Sequence, residues 1–164
     1  MLQPETATAD RIARAAWEAA ARRLPGLPRE GGFCLKLVRL VVEAALGLPP
    51  HGMYERWLVA GTSRRKGSDA ERAAAARQDP WAADLEASMK TLSLGVPFAE
   101  RRPGDLLFNH RAAEPYGHVA VLLDRDTVLE NVELAFRPKS VRLGEALVLT
   151  RVSDLPWTLC ARLR

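Results

Sequence analysis

The sequence predicts an α+β fold with helices first and an antiparallel sheet second. Up to Leu92 the chain is Ala-rich, with apolar residues recurring at helical spacing. After Gly95 the character changes to short apolar runs bounded by turn residues, with strand periodicity. Helical and strand segments do not alternate along the chain, which argues against a parallel α/β sheet. The 164 residues suit one domain with a sizeable core, and no repeat, low-complexity linker or boundary interrupts them.

The first helix is expected over Thr6 to Arg23, where Ile12, Ala16, Ala19 and Ala20 give a thin apolar face. Thr8 or Asp10 is placed to cap its start. Pro25-Gly26-Leu27-Pro28 ends it, and Gly31-Gly32 continue the loop. The second helix runs from about Phe33 to Leu46, stopped by Gly47 and Pro49-Pro50. Its stripe is Cys34, Leu37, Val38, Val41, Ala44 and Ala45, with Lys36, Arg39 and Glu43 mostly elsewhere. Met53 to Ala60 reads as a short helix. The basic stretch Gly61 to Ser68 reads as a solvated loop, with an anionic contact as the other reading. Ser68 or Asp69 begins a helix to about Gln78. Asp79-Pro80 begins another to about Leu92, with Pro80 suited to the first turn and Trp81, Leu85, Met89 and Leu92 as core.

Strands are expected at Leu106 to Phe108, Gly117 to Leu123, Thr127 to Leu134, within Val141 to Val152, and at Trp157 to Leu163. Asp124-Arg125-Asp126 makes the turn between the second and third, so those two form a hairpin with adjacent side chains.

Net charge is +4 and the pI about 9.5, from scattered arginines. That balance favours anionic partners, a wall polymer or a nucleic acid, without choosing between them. No run is long and apolar enough to span a membrane. Met1 to Thr6 lacks the basic and apolar regions of a signal peptide. The expected location is therefore cytoplasmic, or outside by a signal-independent route. The two cysteines, Cys34 and Cys160, are expected as free thiols, and no zinc-binding spacing occurs.

Cys34 sits where a glycine loop turns into a helix. Helix N-termini offer unpaired N–H groups and a partial positive charge, which stabilise a thiolate. Cys160 alternates out of the apolar face of its strand and is a poor nucleophile. Of the three histidines, His51 and His110 (in Asn109-His110-Arg111) read as loop residues. His118 opens an apolar strand after Gly117, buried and rigid. Glu130 and Asn131 interrupt the apolar strand beside it, and each needs a partner if buried. Side chains alternate, so only one of them shares His118's face.

In this order, cysteine at a helix start, Arg102-Pro103-Gly104-Asp105-Leu106-Leu107-Phe108, Gly117-His118-Val119-Ala120-Val121 and a polar residue one hairpin later, the chain resembles the papain-like NlpC/P60 and CHAP wall hydrolases. Gly32-Phe33-Cys34 is closer to the Gly-x-Cys style of CHAP than to the Asp-Cys-Ser-Gly of NlpC/P60. The resemblance implies a papain-like core over 31–164 with 1–30 as a helical extension of one domain. It implies Cys34 as nucleophile, His118 as general base and Glu130 as orienting residue, with Asn131 as its rival. No metal or cofactor is required. The implied activity is cysteine peptidase or amidase action on peptidoglycan peptides, through a thioester, without a nucleic-acid or membrane partner. The Cys34 N–H would give one oxyanion donor. Tyr54 and Tyr116 are candidates for the second. The alternatives are acyl chemistry on another amide or ester, and a non-catalytic binding module of the same fold.

Overall fold

The computed structural model describes residues 4–110 and 114–164. Met1 to Gln3 and Arg111 lie outside the described residues. The chain is α+β: five α-helices precede a seven-stranded antiparallel sheet among those residues. The helices are α1 (Pro4–Ala20), α2 (Cys34–Leu46), α3 (Gly52–Trp57), α4 (Asp69–Gln78) and α5 (Ala82–Thr91). The strands are β1 (Gly95–Val96), β2 (Leu106–Asn109), β3 (His118–Leu122), β4 (Thr127–Asn131), β5 (Val141–Arg142), β6 (Leu147–Arg151) and β7 (Leu159–Ala161). Their order across the sheet is β1-β7-β2-β3-β4-β6-β5. No helix among the described residues is long and apolar enough to cross a membrane.

The front of the sheet carries Leu106, Phe108, Val119, Val121, Leu129 and Ala161, packed with Leu37, Val38 and Val41 of α2. Ile12, Ala16 and Ala19 of α1 belong to the same cluster, so the first helix is part of the core. The Pro103-Gly104 turn closes against it. Gly104 has φ +89°, and a Cβ there would lie 1.9 Å from the Ala9 carbonyl oxygen. Only glycine fits that approach. The back face carries a smaller cluster of Leu107, Ala120, Leu122, Val128, Val152 and Cys160. Apolar residues on both faces are why β3 reads as an unbroken hydrophobic run.

Several local expectations are corrected. The first helix starts at Pro4, a residue suited to a first turn, ahead of Thr8 and Asp10. In α2, Ala44 is exposed whereas Arg39 and Glu43 are buried. The charged pair closes on itself at 2.6 Å, and the Glu43 carboxylate also accepts the N–H groups of His51 and Met53. These bonds satisfy the buried charge and fix the entry into α3, which ends at Trp57. Pro80 stands before α5, whose N-cap is Trp81, and Leu92 is exposed. The basic loop is tied down by Arg65. Its guanidinium lies 3.6 Å over the Trp81 ring and 2.8 Å from the buried Asp84 carboxylate. The region Val141 to Val152 holds two strands, because Gly144-Glu145-Ala146 forms a turn between them. The strand from Trp157 is short, β7, and the two-residue β1 pairs with it.

Candidate active site

The geometry of the site starts from the alternation of β3 and β4. Ala120 and Leu122 face the back of the sheet, so His118 does too; Val128 faces back, so Glu130 does too. Asn131 then points to the front. His118 Nε2 lies 2.6 Å from Glu130 Oε2. The carboxylate is fully buried, and its other oxygen accepts from Arg137 Nε at 2.7 Å and Thr150 Oγ1 at 2.6 Å. Trp157 stacks on the imidazole, with centroids 6.3 Å apart, and its indole N–H is bound to the Val152 carbonyl. The ring is thus fixed by an edge contact and a face contact.

Asn131 does a different job. Its Oδ1 accepts the Phe33 N–H at 2.8 Å and its Nδ2 donates to the Glu30 carbonyl at 2.9 Å. It holds the loop that delivers Cys34. In keeping with this, the β3–β4 register contains only Val121↔Leu129 and Leu122↔Val128, whereas β4 pairs with β6 along all five residues. The two strands part beyond Val121, and α2 begins at the opening. The Leu122 N–H and C=O both point towards β2. Alternation therefore turns the Val119 N–H towards the gap, and there its partner is the Cys34 sulfur. Asn131→Ala is expected to cost about 1–3 kcal/mol, by freeing the loop from a buried amide. It should leave the His118 titration near its wild-type value. Urea denaturation and an NMR titration measure the two; a fall in the His118 pKa would give Asn131 the orienting role instead.

Cys34 is hydrogen-bonded to His118. Since Nε2 is taken by Glu130, the nitrogen facing the thiol is Nδ1. Burial pushes the Cys34 thiol up. The His118 hydrogen bond and charge, with the N–H groups of Val119 and Leu35, outweigh that, so the thiol lies below its ordinary 9.0. Burial likewise pulls His118 down, yet its bonds to Cys34 and Glu130 raise it to about 9. Glu130, pushed up by burial, is held at about 2 by His118, Arg137 and Thr150. An ionised Glu130 accepts Nε2–H, which leaves the Nδ1 lone pair of neutral His118 aimed at the thiol. Proton transfer from sulfur to Nδ1 then gives a thiolate–imidazolium pair.

The pair opens into a cavity of about 470 Å³ whose lining includes Gly31, Gly32, Cys34, Asn109, Glu114, Gly117, His118, Asn131, Glu133, Phe136 and Arg137. Gly117, with φ +68°, lets the chain pass Ala83, whose N–H is bound to the Tyr116 carbonyl. Leu37 is the first residue of α2 whose N–H bonds back, to the Phe33 carbonyl, so the Cys34 N–H at the helix start has no intrahelical acceptor. Neither Tyr54 nor Tyr116 lines the cavity. Tyr54 packs beside Arg39 and His51, and Tyr116 meets the Trp81 ring edge-on. Cys160 is buried 3.7 Å from Asp105, and burial with that carboxylate drives its thiol to about 12. His51 is exposed, while the His110 ring packs 3.5 Å from Glu86.

No family model, curated protein or solved structure matches the chain.

The geometry brings Cys34, His118 and Glu130 together. Sequence reasoning missed Arg137 and Thr150. Thr150 had a faint signal, a polar residue inside an apolar run. Arg137 follows β4 in an irregular segment, where nothing in the pattern marks it.

Proposed function

We propose that this chain is a cysteine hydrolase that cleaves an amide bond in peptidoglycan peptides, with Cys34 as nucleophile, His118 as base and then acid, and Glu130 as orienting residue. The observation that carries the reading is the hydrogen-bonded relay from Cys34 through His118 to a fully buried Glu130, beside an open cavity. A thiol activated by a fixed imidazole is the arrangement that acyl transfer needs. The wall peptide as substrate, and a papain-like core, are supported by the order of motifs that resembles the NlpC/P60 and CHAP hydrolases.

The Cys34 thiolate adds to the scissile carbonyl, and the Cys34 N–H stabilises the oxygen that gains charge. His118 protonates the departing amine from Nδ1 as the tetrahedral adduct collapses to a thioester. Water, deprotonated by His118, then releases the acid and restores the thiol. Digestion of purified peptidoglycan followed by muropeptide mapping tests this. The wild type is expected to yield new peptide fragments and Cys34→Ala none. Absence of fragments from every wall type, with Cys34 still reactive, would move the substrate to another amide or an ester.

A further inference from the structure

Asn109 ends β2 directly opposite His118 in the β2–β3 register. Its side chain therefore stands on the back face beside the imidazole, across from Glu130. Leu107, two residues earlier on that face, is apolar and wholly buried, and the pattern calls for another apolar residue. Instead an amide sits there, with the residue only 5% exposed. Its side chain hydrogen-bonds to no described residue, whereas the other buried amide of the cavity lining, Asn131, uses both its oxygen and its nitrogen. The described side-chain atoms both sealed from solvent and unpartnered belong to Arg72 and His110. The Asn109 amide, unpartnered as well, thus keeps an opening, and the space it borders is the cavity of Cys34 and His118. An amide that opens only to the cavity keeps its hydrogen-bonding capacity free for a ligand that enters there.

We propose that Asn109 Nδ2–H is the second oxyanion donor, acting on the substrate carbonyl oxygen together with the Cys34 N–H. The proposal rests on the cysteine hydrolase reading above. In the acylation step the sulfur lone pair forms the S–C bond and the carbonyl π pair moves onto oxygen, where the two N–H groups receive it. Collapse re-forms C=O and breaks the C–N or C–O bond, and the leaving group takes the proton that His118 had accepted from the thiol. Asn109 gains and loses nothing covalently. Its contribution exists only while the oxygen bears charge.

Two reagents separate this role from a structural one. Iodoacetamide alkylates the thiolate by displacement at a saturated carbon and forms no oxyanion. p-Nitrophenyl acetate must pass through one. Asn109→Leu, close in size and apolar like the rest of that face, and Asn109→Ala are compared with the wild type by both reagents and by thermal unfolding. Expected are an alkylation rate of Cys34 within about twofold of wild type and a nitrophenol burst slowed about 100-fold. The Tm of Asn109→Leu should be equal or higher, because the unpartnered amide is gone. An unchanged burst rate overturns the proposal and leaves the Cys34 relay standing. So does an equal fall in both rates, or a lowered Tm in both variants, since either makes Asn109 structural. Fast wild-type alkylation without any burst overturns it too. Slow wild-type alkylation would instead overturn the hydrolase reading beneath it.

Discussion

Iodoacetamide at pH 7 will label Cys34 at least about a thousandfold faster than Cys160. The difference comes from thiolate population. Burial and the Asp105 carboxylate hold the Cys160 thiol at about 12, so only about one molecule in 100,000 carries its thiolate at that pH. Cys34 lies below its ordinary 9.0, at which a cysteine would already be about one per cent ionised at pH 7. Access adds to the gap, since Cys34 lines an open cavity and Cys160 lies under the sheet. His118→Ala removes the hydrogen bond and the charge that oppose burial, so the same reaction at Cys34 should slow by roughly tenfold or more. Mass spectrometry of tryptic peptides at timed quenches measures all of these rates. Comparable, slow labelling of both cysteines would end the nucleophile reading. The pH profile carries a further sign. The thiolate–imidazolium pair exists from the lowered Cys34 value up to about 9, where His118 loses its proton. Alkylation should persist above pH 9, because the thiolate survives. Amide cleavage should fall there, because the leaving amine loses its acid.

The parts of this site that were legible in the sequence are those set by local periodicity. The bounds of α2, the apolar run after His118 and the Asp124-Arg125-Asp126 turn fix which strands are neighbours. Parity alone then allows only one of Glu130 and Asn131 to share a face with His118. What parity does not give is which of them does, because that depends on the registration of the hairpin. The parting of β3 and β4 depends on Asn131 gripping Glu30 and Phe33, about a hundred residues earlier in the chain. No local pattern encodes such a contact. The buried Arg39–Glu43 pair was illegible for a related reason: two opposite charges four residues apart look like a solvent-facing pair on any helix. Their burial follows from α3 folding back over them. Asn109 read only as part of the loop after Phe108, whereas β2 extends to it, and its significance comes from the absence of a partner, which is a property of three dimensions.

The largest effect on stability is expected from Glu130→Ala, about 3–5 kcal/mol by urea denaturation near pH 6. The carboxylate is wholly buried and ties together His118, Arg137 and Thr150, and Thr150 in turn meets Ser140. Truncation strands a largely buried guanidinium and an imidazole without their counter-charge. Glu130→Gln should cost less, since an amide oxygen can still accept from Arg137 or Thr150. Its N–H₂ group, however, cannot accept Nε2–H. His118 is then driven to place its proton on Nδ1, turning the base that faces Cys34 into a donor, and Cys34 labelling should fall although the fold survives. The pH dependence separates these terms. Glu130 is held at about 2 against an ordinary 4.5, so its contribution is complete above pH 4.5 and is lost as pH falls through 2. His118 is raised to about 9 against 6.5, so its contribution is complete below pH 6.5 and is lost as pH rises through 9. The wild type should therefore draw its full benefit from this pair between about pH 4.5 and 6.5, a window that Glu130→Ala abolishes. Unfolding curves for Glu130→Ala that match the wild type at pH 6 would mean that the carboxylate neither braces the sheet nor holds His118, and the relay would lose its anchor.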